Sequence, residues 1–113
     1  MADDCLFCKV LAGEIPGDIV HEGERVVAFR DINPQAPTHV LIVPRAHHEN
    51  VGALADADPD ALVELARAAK QVAATDGYDD YRLVFNTGAS ANQSVFHVHG
   101  HVLAGRSMSW PPG

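Results

Sequence analysis

The stretch His97-Val98-His99-Gly100-His101-Val102-Leu103 carries a histidine at every second position. Because side chains alternate with a period of two along a strand, the three imidazoles are predicted to project from one face. A buried imidazole needs hydrogen-bond partners for its ring nitrogens, so three of them in an apolar strand indicate a function. The spacing alone leaves three interpretations open: metal ligands, a nucleophile with its supporting groups, or unrelated core histidines.

The loop before this stretch favours catalysis over a metal site made of the three histidines. Residues 86–94 read Asn-Thr-Gly-Ala-Ser-Ala-Asn-Gln-Ser, which are small residues and neutral hydrogen-bond donors. Such a loop lets backbone N–H groups approach an anion closely. Next to neutral imidazoles, these donors suit phosphoryl transfer, in which they hold the charge on the nonbridging oxygens while a histidine attacks phosphorus.

Length and charge restrict the class of protein. A chain of 113 residues predicts one domain, small enough to profit from dimerisation. The formal net charge of −7, from 8 Lys and Arg against 15 Asp and Glu, argues against nonspecific binding to nucleic acid or to an anionic membrane. No apolar run approaches the roughly 20 residues of a membrane span, and the acidic start Met1-Ala2-Asp3-Asp4 lacks a leader pattern, so we expect a cytoplasmic protein.

The remaining pattern predicts an α+β domain with a mostly antiparallel sheet of five strands. β-branched and apolar runs mark the strands, and the run 39–44 is the most apolar of them, which predicts a central position. The strands are expected at residues 19–29 (a hairpin), 39–44, 81–85 and 97–103.

We expect one short and one long helix. Apolar residues at helical spacing fill residues 5–11, after Asp3 or Asp4 as the cap. Asp58 and Pro59 predict the start of a long amphipathic helix of about four to five turns, which Gly77 ends.

Cys5-x-x-Cys8 is half of a zinc site, because a closed structural site needs four ligands. His47 or His48 can supply the third ligand and His97 the fourth. The alternative is a pair of reduced core cysteines beside an exposed His47. A redox function is disfavoured because no βαβ pattern follows the cysteines.

The chain resembles the histidine triad (HIT) superfamily, and within it the Hint branch. The resemblance covers nearly the whole chain and rests on the alternating histidines, on residues 31–39 and 92–97, and on the ending Trp110-Pro111-Pro112-Gly113. It implies a single HIT domain over residues 1–113, with a C-terminal tail at about 105–113, that forms a homodimer. It also implies hydrolysis of the P–N bond in purine nucleoside phosphoramidates.

In this family pattern the middle histidine, His99, is the nucleophile that forms a covalent nucleotidyl-histidine intermediate. His101 contacts the phosphate and the leaving group, while His97 and His39 support the cluster. Ser94 donates a hydrogen bond to the leaving amine. No cofactor takes part in this chemistry.

The resemblance also implies the residues that hold the nucleotide: an apolar slot for the base, a carboxylate on the ribose hydroxyls, a polar loop on the phosphate, and a tail residue that docks near the partner's active site. These residues are Phe7, Phe29, Ile32 and Leu41 for the base, Asp31 for the ribose, Asn86, Asn92, Gln93, Ser94, His99 and His101 for the phosphate, and Trp110 in the tail. Structural zinc is implied at Cys5, Cys8, His47 and His97.

Two residues depart from the family pattern. Gly100 stands where a bulkier apolar residue is usual, and Ala91-Asn92 stands where glycines are frequent. Three other functions remain as alternatives: a dinucleoside polyphosphate hydrolase or nucleotidyl transferase, a nucleotide-binding module without catalysis, or a zinc-dependent structural protein. The sequence leaves the physiological amine and the purine preference open.

Overall fold

The structure is a computed structural model that describes residues 5–113, and its centre is one antiparallel sheet of five strands. The spatial order is β1-β2-β3-β5-β4, and every neighbouring pair is antiparallel. This confirms the predicted sheet, including the hairpin and the central run. The strands are β1 (Ile19–Glu22), β2 (Val26–Arg30), β3 (Thr38–Pro44), β4 (Arg82–Val84) and β5 (Gly100–Ala104).

The register across β2, β3 and β5 separates a core face from a functional face. Leu41 of β3 pairs with Phe29 of β2 on one side and with His101 of β5 on the other. Since side chains two residues apart share a face, His39 projects to the same side as Leu41. The alternate residues form the opposite face, where Val40, Ile42 and Val102 pack under the long helix.

The long helix α3 (Pro59–Thr75) begins as predicted, with the Asp58 side chain accepting a hydrogen bond from the backbone N–H of Ala61 at 3.2 Å. Its buried stripe covers the core face of the sheet. Gly100 lies beneath this packing: a Cβ there would meet Leu83 at 3.0 Å and Leu65 at 3.1 Å. Neighbouring leucines therefore fill the space that a larger residue would need, which accounts for glycine at this position.

Two short α-helices and a 3-10 turn at Ala89–Ala91 accompany α3, so the expectation of a single short helix was wrong. The first, α1 (Leu6–Leu11), was predicted, although Cys5 is its N-cap; the predicted caps Asp3 and Asp4 lie outside the described residues. The second, α2 (Val51–Ala57), buries only Leu54, so its sequence shows no apolar periodicity. Among residues 5–113, no helix is both long and apolar enough to cross a bilayer.

The histidine stretch is only partly a strand, which corrects the predicted strand over residues 97–103. β5 begins at Gly100, so His101 lies in the sheet while His97 and His99 precede it. The backbone N–H of Val98 donates to the carbonyl of His48 at 2.8 Å instead of joining the ladder. Because the backbone leaves the sheet here, His97 and His99 are both buried, and their rings bond to different groups.

Asp76 ties the end of α3 to the sheet and provides a test of the fold. Its carboxylate accepts two hydrogen bonds from Arg30, at 2.9 and 3.0 Å, and one from Thr38 at 2.6 Å. The hydrogen bonds from Arg30 and Thr38 lower the pKa of Asp76.

We expect Asp76→Asn to reduce the free energy of unfolding by about 2 kcal/mol at pH 7, a moderate value because Arg30 remains 38% exposed. A depressed carboxyl pKa stabilises the fold above the ordinary Asp pKa, and this contribution disappears as the pH falls through the lowered value. Urea unfolding at pH 7 and at pH 3 measures both effects, with Asp79→Asn at an exposed position as the control. Equal midpoints for the two variants at pH 7 would contradict the prediction.

Candidate active site and metal centre

Four histidines meet at the end of the functional face where β3 and β5 lie side by side. The ring centroids of His99 and His101 are 4.9 Å apart, and those of His39 and His101 are 5.2 Å apart. His97 lies behind His99, fully buried. The register of the two strands thus brings His39 to the histidine stretch, as the resemblance implies.

Fixed donors and acceptors around these rings determine which nitrogen carries each proton. The backbone N–H of Gln35 donates to Nδ1 of His39 at 3.0 Å, so the proton of His39 is on Nε2. That Nε2 is 2.9 Å from Nδ1 of His101 and donates to it. His101 therefore carries its own proton on Nε2. Asp31 Oδ2 lies 3.3 Å from Nε2 of His39 and supports the pair electrostatically.

His99 and His97 have opposite tautomers. His99 donates its Nδ1–H to the carbonyl of His97 at 2.9 Å, which leaves the Nε2 lone pair of His99 free. His97 donates its Nε2–H to the carbonyl of Pro44 at 2.9 Å, which leaves Nδ1 free. One ring therefore offers a nucleophilic nitrogen and the other a metal-binding nitrogen.

Burial lowers the pKa of every histidine in this group. For His101 the pKa falls to about 4, because burial and then the nearby His99 and His39 disfavour the charged ring. For His97 it also falls to about 4, chiefly through burial. The pKa values of His39 and His99 are lowered by burial as well. The cluster is thus neutral at pH 7, which keeps the nucleophilic nitrogen of His99 unprotonated.

These shifts predict that acid destabilises the fold before the carboxylates titrate. A histidine with a lowered pKa stabilises the native state fully above its unfolded pKa of about 6.5, and this contribution is lost as the pH falls towards about 4. We expect His101 to contribute a loss on the order of 1–2 kcal/mol between pH 7.5 and 4.5. Urea unfolding at both pH values measures it.

Two variants separate this contribution from general acid effects. His101→Gln should have a shallower dependence of unfolding free energy on pH than the wild type. His21→Gln removes a histidine of β1, away from the cluster, and should keep the wild-type dependence. Parallel profiles for His101→Gln and the wild type would contradict the assignment.

A cavity of about 760 Å³ opens in front of His99 and His101. We call it the front cavity. One wall is apolar and includes a pair of edge-packed rings, Phe7 and Phe29, with centroids 5.5 Å apart. Eight of the residues implied for nucleotide contact line it: Phe7, Phe29, Asp31, Ile32, Leu41, Ser94, His99 and His101. The wall also contains Val10, Ile15 and Pro16, which the sequence analysis missed because this segment reads only as the end of a helix.

His101 also lines a second cavity of about 480 Å³, the tail cavity, on the side of the C-terminal residues. Asn86 and Asn92 lie here and not in the front cavity. Asn92 has a left-handed backbone with φ of 71°, a conformation that asparagine tolerates better than most residues. This accounts for an asparagine where glycine is frequent. Arg82 and Arg106 also line the tail cavity, and the sequence analysis did not identify them.

Two implied contact residues have other surroundings. The side chain of Gln93 is buried and bonded to backbone groups: it accepts from Gly88 at 2.9 Å and donates to the carbonyls of Glu49 and Val95 at 2.7 and 3.2 Å. It therefore holds the loop in place and has no amide group left to contact a phosphate. Trp110 is 83% exposed and lines neither cavity of its own chain.

On the side of His97 that faces away from His99, its ring forms a compact group with two cysteines and a second histidine. Ligand atoms of Cys5, Cys8, His47 and His97 all lie within 4.8 Å of one another. Nδ1 of His97 is 3.3 Å from Sγ of Cys5 and 3.4 Å from Sγ of Cys8, and Nδ1 of His47 is 3.5 Å from Sγ of Cys8. Of the two candidate third ligands, the structure brings His47 into the group.

This geometry fits zinc. Tetrahedral zinc with Zn–S of about 2.3 Å and Zn–N of about 2.0–2.1 Å places neighbouring sulfur and nitrogen ligands about 3.5 Å apart. The three measured distances lie close to this value. The hydrogen bond from His97 to Pro44 is the outer contact that commonly orients a ligating imidazole. Burial, followed by the neighbouring Cys5, raises the pKa of Cys8 to about 11, so the thiol stays protonated until a cation displaces its proton.

A second group, Asp31, His39 and His101, has comparable spacing. Here, however, Nδ1 of His39 accepts from Gln35 and its Nε2–H donates to His101. Since neither nitrogen of His39 has a free lone pair, this group is organised as a hydrogen-bonded relay and not as a metal centre.

Comparison with known proteins gives concordant matches. The sequence profile of the HIT domain family matches residues 12–108. A 14 kDa zinc-binding protein of Zea mays is 50% identical over 112 residues, which covers 96% of this chain and 87% of that protein. An uncharacterized HIT-like protein of Synechocystis sp. is 47% identical and is covered over its whole length, as is this chain. The crystal structure of a HIT family hydrolase from Legionella pneumophila superposes with a TM-score of 0.92 and 46% identity, covering 97% of this chain and 100% of the other.

Proposed function

Given that this chain belongs to the HIT domain family, we propose that it is a nucleotide-binding hydrolase that cleaves the P–N bond of purine nucleoside phosphoramidates. The observation that carries the proposal is the free Nε2 of His99, whose Nδ1–H is fixed on the His97 carbonyl, beside the Nε2–H of His101. A nucleophile and a proton donor thus face the same cavity. The Legionella pneumophila relative is named a HIT family hydrolase, which supports the reaction class.

The front cavity has a place for each part of a nucleotide. Its apolar wall suits a purine, with Phe7 and Phe29 packed against each other and Ile32, 100% exposed, at the rim. The carboxylate of Asp31 accepts a hydrogen bond from the backbone of Asn33 and retains acceptor capacity for ribose hydroxyls. The phosphate would then lie between His99, His101 and Ser94.

In the first chemical step, the Nε2 lone pair of His99 attacks phosphorus and the P–N bond breaks. The electron pair of that bond stays on the leaving nitrogen, which takes a proton from the protonated His39–His101 pair through Nε2 of His101. Although the pair is neutral in the free protein, the bound phosphate anion and Asp31 both favour its protonation. The added proton lies on Nδ1 of His39, which then gives up the hydrogen bond from Gln35, and the Nε2 proton of His39 passes to Nδ1 of His101 as His101 donates its own. The products are a free amine and a nucleotidyl group on His99.

In the second step, a water attacks phosphorus from the side that the amine has left. His101, whose Nε2 has given up its proton in the first step, accepts one proton from this water. The P–Nε2 bond to His99 breaks. The nucleoside monophosphate departs, His99 recovers its lone pair and the His39–His101 pair recovers its proton. Histidine serves as acid in one step and as base in the other.

We also propose that Cys5, Cys8, His47 and His97 hold a structural zinc ion. The name of the zinc-binding relative from Zea mays supports this assignment. A bound zinc ion would supply a cross-link between α1 and the residues around His97, and no chemistry of the reaction. Because α1 carries Phe7, the cross-link would also secure one wall of the front cavity.

A homodimer is proposed on two observations. β4 has three residues and lies at the edge of the sheet, beside β5 only, and an edge strand is a surface for pairing with another chain. Trp110, exposed in the tail, is a residue type enriched at protein interfaces. A partner's tail would then lie near the active site.

The test uses an adenosine phosphoramidate of a fluorescent amine, with released amine and AMP measured together. We expect amine and AMP in equal amounts. Diadenosine tetraphosphate, assayed in parallel, tests the alternative of dinucleoside polyphosphate hydrolysis. Faster cleavage of the polyphosphate would favour that alternative, and nucleotide binding without any product would favour a non-catalytic binding module.

A further inference from the structure

The tail cavity differs in charge from the protein around it. The chain has a formal net charge of −7. The residues that line this cavity nevertheless include two arginines, Arg82 and Arg106, and no Asp or Glu. By contrast, the front cavity is lined by Asp18 and Asp31 as well as Arg30. The lining of the tail cavity is therefore cationic, although both arginines also border a neighbouring cavity that Asp79 and Asp80 line.

Neither arginine forms an ion pair with a carboxylate of the described residues. Within residues 5–113, no Asp or Glu oxygen lies within 4.0 Å of either guanidinium, whereas Arg25 and Arg30 both have acidic partners. Arg82 donates to the carbonyl of Ser109 at 2.9 Å, and Arg106 donates to the carbonyls of Gln35 and Ser107 at 2.8 and 3.0 Å. These bonds orient the two groups. Since a guanidinium has five N–H donors, both can still bind an anion.

The position of the tail cavity connects it to the reaction. His101 lines both cavities, and His39 lines the tail cavity. His99 would attack a phosphorus atom that lies in the front cavity. The proton for the leaving group would come from the Nε2–H of His101, and the tail cavity lies next to this ring. The group that departs from phosphorus would lie in the tail cavity.

We propose that the tail cavity binds the leaving group, and that Arg82 and Arg106 select an amine bearing a carboxylate, as in an amino acid linked to phosphorus through its nitrogen. The proposal rests on the proposed phosphoramidate hydrolysis and specifies its substrate class. Carboxylate is favoured over a polyphosphate because Met108, Pro111 and Pro112 form an apolar part of the lining. An aliphatic amine with one terminal anion matches this combination, and asparagines at 86 and 92 can accept or donate to its polar atoms.

The experiment compares two adenosine phosphoramidates with leaving amines of nearly equal size and basicity, β-alanine and 3-aminopropan-1-ol. The first carries a carboxylate where the second carries a hydroxyl. We expect the wild type to prefer the β-alanine substrate by about tenfold in kcat/KM, the effect of one charge-assisted interaction at a partly exposed site. Raising the salt concentration should reduce the preference.

The double variant Arg82→Gln/Arg106→Gln should lose this preference while it retains hydrolysis of the 3-aminopropan-1-ol substrate. Retained hydrolysis also shows that the variant is folded, and the two single variants replace the double variant if it is not. Arg67→Gln, which makes the charge change of either single variant on an exposed face of α3, should keep the wild-type ratio.

Equal kcat/KM of the wild type for the two substrates would overturn the selection of a carboxylate, as would an unchanged ratio in the arginine variants. Faster cleavage of diadenosine tetraphosphate than of the β-alanine substrate would overturn it in favour of a polyphosphate leaving group. No hydrolysis of either phosphoramidate by the wild type would instead contradict the proposed function itself.

Discussion

The His99→Ala variant is expected to hydrolyse an adenosine phosphoramidate at least about 10⁴-fold more slowly than the wild type. The reason is that the proposed mechanism has one nucleophile, and Nε2 of His99 is the nitrogen left unbonded by the hydrogen bond to His97. His101 cannot replace it, because its Nδ1 accepts from His39 and its Nε2 carries the proton. The remaining groups can bind the nucleotide without completing the reaction.

Three measurements make this prediction decisive. Wild-type protein quenched in alkaline denaturant, in which a P–N bond to imidazole is stable, should gain the mass of one nucleotidyl group during turnover, and His99→Ala should not. His101→Gln should show a smaller loss of about 10²–10⁴-fold, since it removes the proton donor but leaves the nucleophile. His21→Ala, outside the cluster, should match the wild type. If His99→Ala kept a tenth of the wild-type rate, water would attack phosphorus directly and the covalent step would be wrong.

The sheet was predictable because its strands have local signals that agree with the tertiary structure. The run from Val40 to Pro44 is apolar throughout, and it occupies the buried centre that such a run needs. The exception is the histidine stretch, where strict alternation predicted a continuous strand. Hydrogen bonds from Val98 to His48 and from His99 to His97 replace the ladder there. The first is a contact between residues far apart in sequence, and the second joins a ring to a backbone carbonyl. The alternation of side chains along the sequence predicts neither of them.

The site was predictable wherever chemistry restricts the residue type. Histidines and cysteines at short spacing have few structural uses, and the structure brings Cys5, Cys8 and His97 together although 89 residues separate Cys8 from His97. Roles of neutral side chains were less accessible. Gln93 and Asn92 are close in sequence and chemically similar, yet Gln93 is enclosed by backbone groups and Asn92 lines the tail cavity. The two residues differ in the direction of their side chains, which the fold determines.

Arg82 and Arg106 were missed for a related reason. In sequence they are two isolated basic residues, 24 positions apart by their numbers, with no motif around them. Antiparallel pairing of β4 with β5 and the return of the tail bring them to one cavity. The tail cavity contains two positive charges, and this excess becomes apparent only when the lining of the cavity is compared with the net negative charge of the chain.

His97 links the metal centre to His99, the proposed nucleophile. Its ring offers Nδ1 to the cysteine side, and its carbonyl fixes the tautomer of His99. The group of Cys5, Cys8, His47 and His97 therefore fixes α1 against the backbone before β5, and it also fixes the orientation of His99. Loss of the metal would release thiols that return to their protonated form, since burial raises the pKa of Cys8 to about 11.

Protein purified without added metal is accordingly expected to contain close to one zinc ion per chain, and removal of zinc should lower the melting temperature by at least about 10 °C. Cys8→Ser and His47→Gln should both lose zinc and melt at the lower temperature, because each removes one of four ligands. His48→Gln is the matched control: its neighbouring imidazole lies outside the group, so it should retain zinc and wild-type stability. Elemental analysis and thermal melting decide the matter. Zinc retained by His47→Gln but lost by His48→Gln would reassign the third ligand, and wild-type protein without zinc would leave the two cysteines as a reduced pair that caps α1.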